Sequence, residues 1–148
     1  MQFKNILVLT DFSDDSQEAV RTAVDFAAKA DAALTVLHVI RDATALSFVL
    51  SDSEYHSIGR KLAQHAEEQF DRMEASTPGL KTLGYQRRIR TGVPYISCLY
   101  EIEKGGYDLV VAGSHGRSSL KKTLMGSTAE KVVRRSPIST FITRRQSE

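Results

Sequence analysis

Three runs of apolar residues constrain what this chain can fold into: Ile6–Leu9, Leu34–Ile40 (broken only by Thr35 and His38) and Leu109–Ala112. A strand with one wet face alternates apolar and polar residues. A strand that is apolar almost throughout is covered on both faces, as in a parallel sheet held between layers of helices. The segments between these runs have helical spacing. Ala19, Val20, Ala23, Val24 and Ala27 recur at that spacing after Asp11-Phe12-Ser13-Asp14-Asp15, where Ser13 is the expected N-cap and acids fill the first turn. A second helix is expected from about Glu54 to Glu74, with Ile58, Leu62, Ala66, Phe70 and Met73 on one stripe. Pro94 suits the first position of a short helix that stops near Gly105-Gly106, and a last helix is expected from Ser127 to about Arg135.

Two more polar segments complete the set of strands, Tyr85 to Arg90 as the third and Ile138 to Thr143 as the fifth, with Asp108 to Ala112 as the fourth. Strands that alternate with helices give the α/β class. The expected fold is a single-domain open sandwich over residues 1–148, a five-stranded parallel sheet with helices on both faces. The apolar strands one, two and four belong at the centre, and the polar strands three and five at the edges. With right-handed crossovers that gives the order 3-2-1-4-5. The segment Arg41 to Ser53 lacks periodicity; its Leu46, Phe48, Val49 and Leu50 could cover a pocket or form an extra turn.

In that order, strands one and four are neighbours on opposite sides of a chain reversal, where open α/β sheets bind ligands beyond the carboxyl ends of their strands. The fourth strand runs into Gly113-Ser114-His115-Gly116, and Gly126-Ser127 follows at the start of the last helix. Glycines at a strand-to-helix junction let a ligand approach the backbone, and a helix start directs N–H groups at an anion such as phosphate. A plainer reading stands beside this one. Gly113 could end a strand, Gly116 could serve a turn and Gly126 could be a close helix–sheet contact. Ser127-Thr128-Ala129-Glu130 also fits a capping box.

The spacing G-x2-G-x9-G-[ST], with Arg117-Ser118-Ser119-Leu120 inside it, resembles the nucleotide loop of the ATP-binding branch of the universal stress protein family. The resemblance covers nearly the whole chain. It includes the strand ending at Thr10-Asp11, His38-Val39, Gly92-Val93-Pro94 and Asp108–Gly113. It implies an ATP (or ADP or AMP) site made of Thr10, Asp11, Val39, Gly113, Gly116, Arg117, Gly126, Ser127 and Thr128. In that site Asp11 meets the ribose, the Val39 backbone meets adenine, and Gly113, Gly116, Gly126, Ser127 and the Thr128 backbone serve ribose and phosphates. Arg117 would neutralise phosphate charge, and Mg2+ or Mn2+ would be held only through the phosphates. His115 reads as a loop histidine, because no nucleophile or acid partner is evident for it. Two departures from the family pattern are visible. The final strand is unusually polar for a family that often pairs subunits there, and Phe12-Ser13 stands where a small residue is common. A homodimer through Ile138–Thr143 and an unidentified protein partner are nevertheless expected.

Other classes lack their signatures. There is no G-x4-G-K-[ST] loop, and no glycine follows strand one as a dinucleotide fingerprint requires. The four histidines and the single Cys98 have no metal-ligand spacing. With a net charge of +2, the basic pairs Lys121-Lys122, Arg134-Arg135 and Arg144-Arg145 make a poor case for nucleic acid. Cys98 is expected to be a buried inert thiol. The first residues lack a signal-peptide layout and no apolar run is long enough to span a bilayer, so a cytoplasmic location is expected. The expected function is a stress-response regulator that binds ATP and signals through shape or partner binding. The alternatives are a slow ATPase and an interaction module that has lost nucleotide.

Overall fold

The computed structural model describes residues 2–116 and 125–145. Strands β1 (Asn5–Leu9), β2 (Ala33–Arg41), β3 (Gln86–Gly92), β4 (Leu109–Gly113) and β5 (Ser139–Thr143) form one sheet in the order β3-β2-β1-β4-β5. All four pairings are parallel. Helices α1 (Asp14–Ala30), α2 (Asp52–Ser76), α3 (Pro78–Leu83), α4 (Pro94–Lys104) and α5 (Ser127–Arg135) cover it. The expected class and strand order are those observed.

The near-continuous apolar strands split their side chains between two cores. Ile6, Val8, Leu34, Val36 and Val111 meet Ala19, Val20 and Ala23 of α1, Phe70 and Met73 of α2 and Leu80 of α3. Leu7, Leu9, Leu37, Val110 and Ala112 point the other way, onto Cys98 and Ile102 of α4 and Val132 of α5. Each residue in a strand faces opposite to the last, so only an apolar run can supply both layers.

Three details differ from the expectation. β3 runs to Gly92, two residues beyond Arg90, because its arginines have partners on both faces. Arg87 donates to Glu67 and Asp71 of α2, while Arg88 and Arg90 reach the buried Glu101 of α4 at 3.0 and 3.3 Å. The one-turn-and-a-half helix α3 is too short to leave a periodic signal. In the segment after β2, Thr44–Phe48 forms a 3-10 turn, and Ser51 with Glu54 builds a capping box that opens α2. Phe48 is 86% exposed and Val49 77%, so these side chains cover nothing.

Candidate nucleotide site

A cavity of about 460 Å3 opens at the carboxyl ends of β1, β2 and β4, a size ordinary for a small-molecule site. Thr10, Asp11, Val39, Gly113, Gly116, Gly126, Ser127 and Thr128 all line it; Arg117 lies outside the described residues. Leu62, His65 and Gln69 from α2 and Pro94 and Cys98 from α4 complete the walls. The sequence gives no sign of these, since a stripe on a helix does not say which of its members edge a cavity. Burial, and then the charge of Glu101, push the Cys98 thiol up to about 12, in keeping with the inert role expected for it.

The turn after β1 is built by interlocking groups. Thr10 Oγ1 accepts from Phe12 N–H (3.0 Å) and shares a hydrogen bond with Ser16 Oγ (3.1 Å). The Thr10 hydroxyl is thus committed to the turn, although the residue borders the cavity. His38 Nδ1 lies 2.9 Å from the Thr10 carbonyl, so that nitrogen carries the hydrogen. Phe12 takes a left-handed φ of 63°, a conformation that costs an L-residue about 1–2 kcal/mol. Its ring packs 4.5 Å from His38 and edge-on to Phe70 at 5.2 Å, which holds it there. This is how a large side chain stands where a small one was expected: it packs against the α1–α2 core while still edging the cavity.

Val39 owes its place to the end of β1. The carbonyl of Leu37 accepts from Thr10 N–H at 2.9 Å, so Leu37 turns its peptide groups toward β1. Two residues on, Val39 faces the same way. β1 has ended at Leu9, and the backbone edge of Val39 is left bordering the cavity.

Asp11 accepts from Ser13 N–H at 3.0 Å and from the Ser13 hydroxyl. Ser13 in turn caps α1 at Ser16 N–H, as expected. The second Asp11 oxygen lies against the loop after β4: a Cβ placed on Gly116 would come 2.5 Å from it. Gly113 is tight for another reason, since a Cβ there would meet the Asp15 carbonyl oxygen at 2.8 Å. Gly126 is loose by comparison, with the nearest loop atoms at 3.5 Å.

The start of α5 corrects one expectation. The N-cap is Gly126, not Ser127, and among the described residues no side-chain cap is present. The Gly126 N–H donates to the Ser114 carbonyl at 2.7 Å, which starts the helix one residue early for a box. Glu130 is then one position too far along and pairs with Arg134 at 3.1 Å instead. The N–H groups of Ser127, Thr128 and Ala129 have no acceptor within the helix. Helices α1 and α2 by contrast carry serine caps. Beside α5, Ser114 Oγ lies 2.9 Å from His115 Nδ1, which is 3.7 Å from Asp15 Oδ2. This pairing was not legible in the sequence, because Asp15 arrives from a helix a hundred residues away.

The sequence profile of the universal stress protein family matches residues 2–144. The universal stress protein MJ0577 of Methanocaldococcus jannaschii is 27% identical over 162 residues, covering 99% of this chain and 98% of its own. Its solved structure superposes with a TM-score of 0.83 at 25% identity over the whole of both chains. The universal stress protein UspA of Lactobacillus plantarum gives 0.75 at 31% identity, covering 97% of this chain and 99% of its own. A universal stress protein solved in complex with cAMP shares the fold at 23% identity and a TM-score of 0.62, covering 97% and 98%. Strand order, the switch-point cavity and the spaced glycines agree with a profile that runs through β5: the chain belongs to the universal stress protein family.

Proposed function

We propose that this protein is a regulator that binds ATP in the cavity between β1, β2 and β4. The observation that carries the reading is the uncapped start of α5 on that cavity. N–H groups with no acceptor within their helix and the positive end of that helix together make a site for phosphate. Adenine would meet the backbone edge of Val39, and the ribose hydroxyls would donate to Asp11. The phosphates would lie over Gly113, Gly116, Gly126, Ser127 and Thr128, with Arg117 supplying positive charge. Such an order keeps the Asp11 carboxylate away from the terminal phosphate, as charge requires. That a family member of the same fold has been solved with cAMP supports an adenine nucleotide as the class of ligand.

A divalent cation would enter with the phosphates; among the described residues no group of three His, Cys, Asp or Glu is placed to hold one. Hydrolysis is expected to be absent or slower than about 1 per second, the low end for dedicated enzymes. Of the hydroxyls on the cavity wall, those of Thr10 and Ser16 are committed to the turn after β1. Output would then come from shape or partner binding. A homodimer through β5 is part of the proposal: Phe141 on this edge is 42% exposed, whereas the other edge, β3, is laced with paired arginines.

Mass spectrometry of small molecules released on denaturing the purified protein, after incubation with an equimolar mixture of ATP, ADP, AMP and cAMP, tests the reading. Retention of ATP above the other three is expected. Retention of none would overturn it. Sedimentation of the wild-type chain as a monomer at micromolar concentration would remove the dimer and leave the nucleotide site standing.

A further inference from the structure

Helix α2 carries a glycine, Gly59, about two turns into its length, where any residue but proline would favour the helix more. The fold does not call for it. Its φ is not left-handed, and a Cβ there would meet no atom within 4 Å. What lies beside Gly59 is a second cavity, of about 400 Å3, between α2 and the ends of β2 and β3. Tyr55 and His56 line it, four and three residues before Gly59, and so do Leu62 and Ala63, three and four residues after. Residues at those spacings share one helix face. Gly59 is therefore the middle of the wall, and a side chain on it would enter the cavity.

The floor comes from the sheet. Ile40 stands in register with Thr91 and His38 with Ile89, and Ile89 packs on the core beneath α1 and α2. Alternate residues of a strand face alike, so Ile40, Ile89 and Thr91 all turn toward α2. With Ile58 and Leu62 the interior is mainly aliphatic, and no carboxylate lines it. Its charged members are Arg41 and Arg60, both exposed. Neither side chain has an ion pair or hydrogen bond among the described residues. Asp42, next to Arg41, accepts from the Thr44 hydroxyl and N–H instead. The arginines of β3 by contrast all have carboxylates.

We propose that this cavity is a second binding site, adjoining the nucleotide cleft, for a carboxylate with an aliphatic body, the class of a medium-chain fatty acid. The chain lies against Gly59 over Ile40 and Ile89, where it leaves water for an aliphatic surface. The carboxylate meets the Arg60 guanidinium at the rim, a charge-assisted pairing that no protein group supplies. Glycine at position 59 keeps the space open at the expense of helix propensity. The site is independent of the nucleotide reading, although Ile40, Arg41 and Leu62 border both cavities.

Nitrogen–proton NMR of the full chain titrated with decanoate tests this, with decanol as the neutral probe of the same length. Saturable shifts are expected at the amides of Gly59, Ile89 and Thr91. Gly59→Leu puts a side chain into the cavity and a better helix former into α2. Its thermal unfolding should come at or above the wild-type temperature, while decanoate affinity falls at least about tenfold. Arg60→Gln should lower decanoate affinity about tenfold, the loss of one charge-assisted hydrogen bond, and leave decanol binding unchanged. No saturable shift in the wild type at ~1 mM decanoate, or undiminished binding by folded Gly59→Leu, would overturn the site. Equal effects of Arg60→Gln on decanoate and decanol would overturn the assignment of an anion. Shifts confined to Gly113, Gly116 and Gly126 would put decanoate in the nucleotide cleft and would also overturn the proposal.

Discussion

On the side of the cleft proposed for the base, at the ends of β1 and β2, side chains lock one another in place; on the side proposed for the phosphates, after β4, backbone and glycine set the shape. The base side depends on Phe12 held at a left-handed φ by His38 and Phe70, with Thr10 and His38 tying the turn together. The phosphate side depends on three glycines that do three different things. Gly113 lets α1 approach β4, since a Cβ there would strike the Asp15 backbone. Gly116 makes room for the Asp11 carboxylate and so joins the two sides. Among the described residues Gly126 meets no such clash, a Cβ there making ordinary contact with the loop at 3.5 Å. One glycine motif thus divides into a folding position, a coupling position and a position proposed for the ligand.

The sharpest break of that comparison is at Gly113. Valine there would put a Cβ 2.8 Å from a carbonyl oxygen that belongs to the α1 backbone and cannot swing aside. Gly113→Val is expected to destabilise the fold by ~3 kcal/mol, the upper end for overpacking. Urea unfolding at the wild-type midpoint would show that α1 is free to move and that this glycine is no folding position.

Gly126→Val should do the reverse. The expected loss of fold stability is about 1 kcal/mol, typical of a substitution at an N-cap. ATP affinity should fall by ~1–3 kcal/mol, the scale of hydrogen bonds left unmade. The ratio of the two effects separates the positions; a variant that unfolds but binds normally when folded would merge them.

Ser13→Ala probes the base side more gently. It removes the α1 cap on Ser16 N–H and the hydroxyl that holds Asp11. About 1 kcal/mol of stability should go, with a smaller loss of ATP affinity than in Gly126→Val. An affinity loss that exceeds the Gly126→Val loss would place the main recognition on the base side.

The smallest expected effect lies at the floor between the sides. Burial raises the Cys98 thiol from 9.0 to about 12, so the folded chain keeps its proton where the unfolded chain loses it. The stability tied to this thiol is complete below about pH 9 and declines as pH rises toward 12. Native protein at pH 8 should therefore be inert to a disulfide reagent and become reactive on unfolding. Fast labelling of the native state would mean that the cavity floor opens.

Legibility followed the same division. The phosphate side is local in sequence, and its glycines with the apolar run Leu109–Ala112 announced both the strand and the loop. The sheet order could be read because β1, β2 and β4 are apolar on both faces. The reach of β3 to Gly92 could not, because Arg87, Arg88 and Arg90 are neutralised by carboxylates of α2 and α4 that only the fold brings near. The cap at Gly126 turns on a hydrogen bond to Ser114, and the setting of His115 on Asp15; neither contact is local. Phe12 was legible as a departure, while its resolution by a left-handed turn into the core was not.

Calorimetric titration of the wild-type chain with ATP is the most direct test of the central claim, that the start of α5 at Gly126 forms a phosphate site. The account predicts saturable one-to-one binding that is weakened in Gly126→Val while the fold survives. No heat of binding for the wild type at ~1 mM ATP, where even a 4 kcal/mol interaction would register, would contradict it.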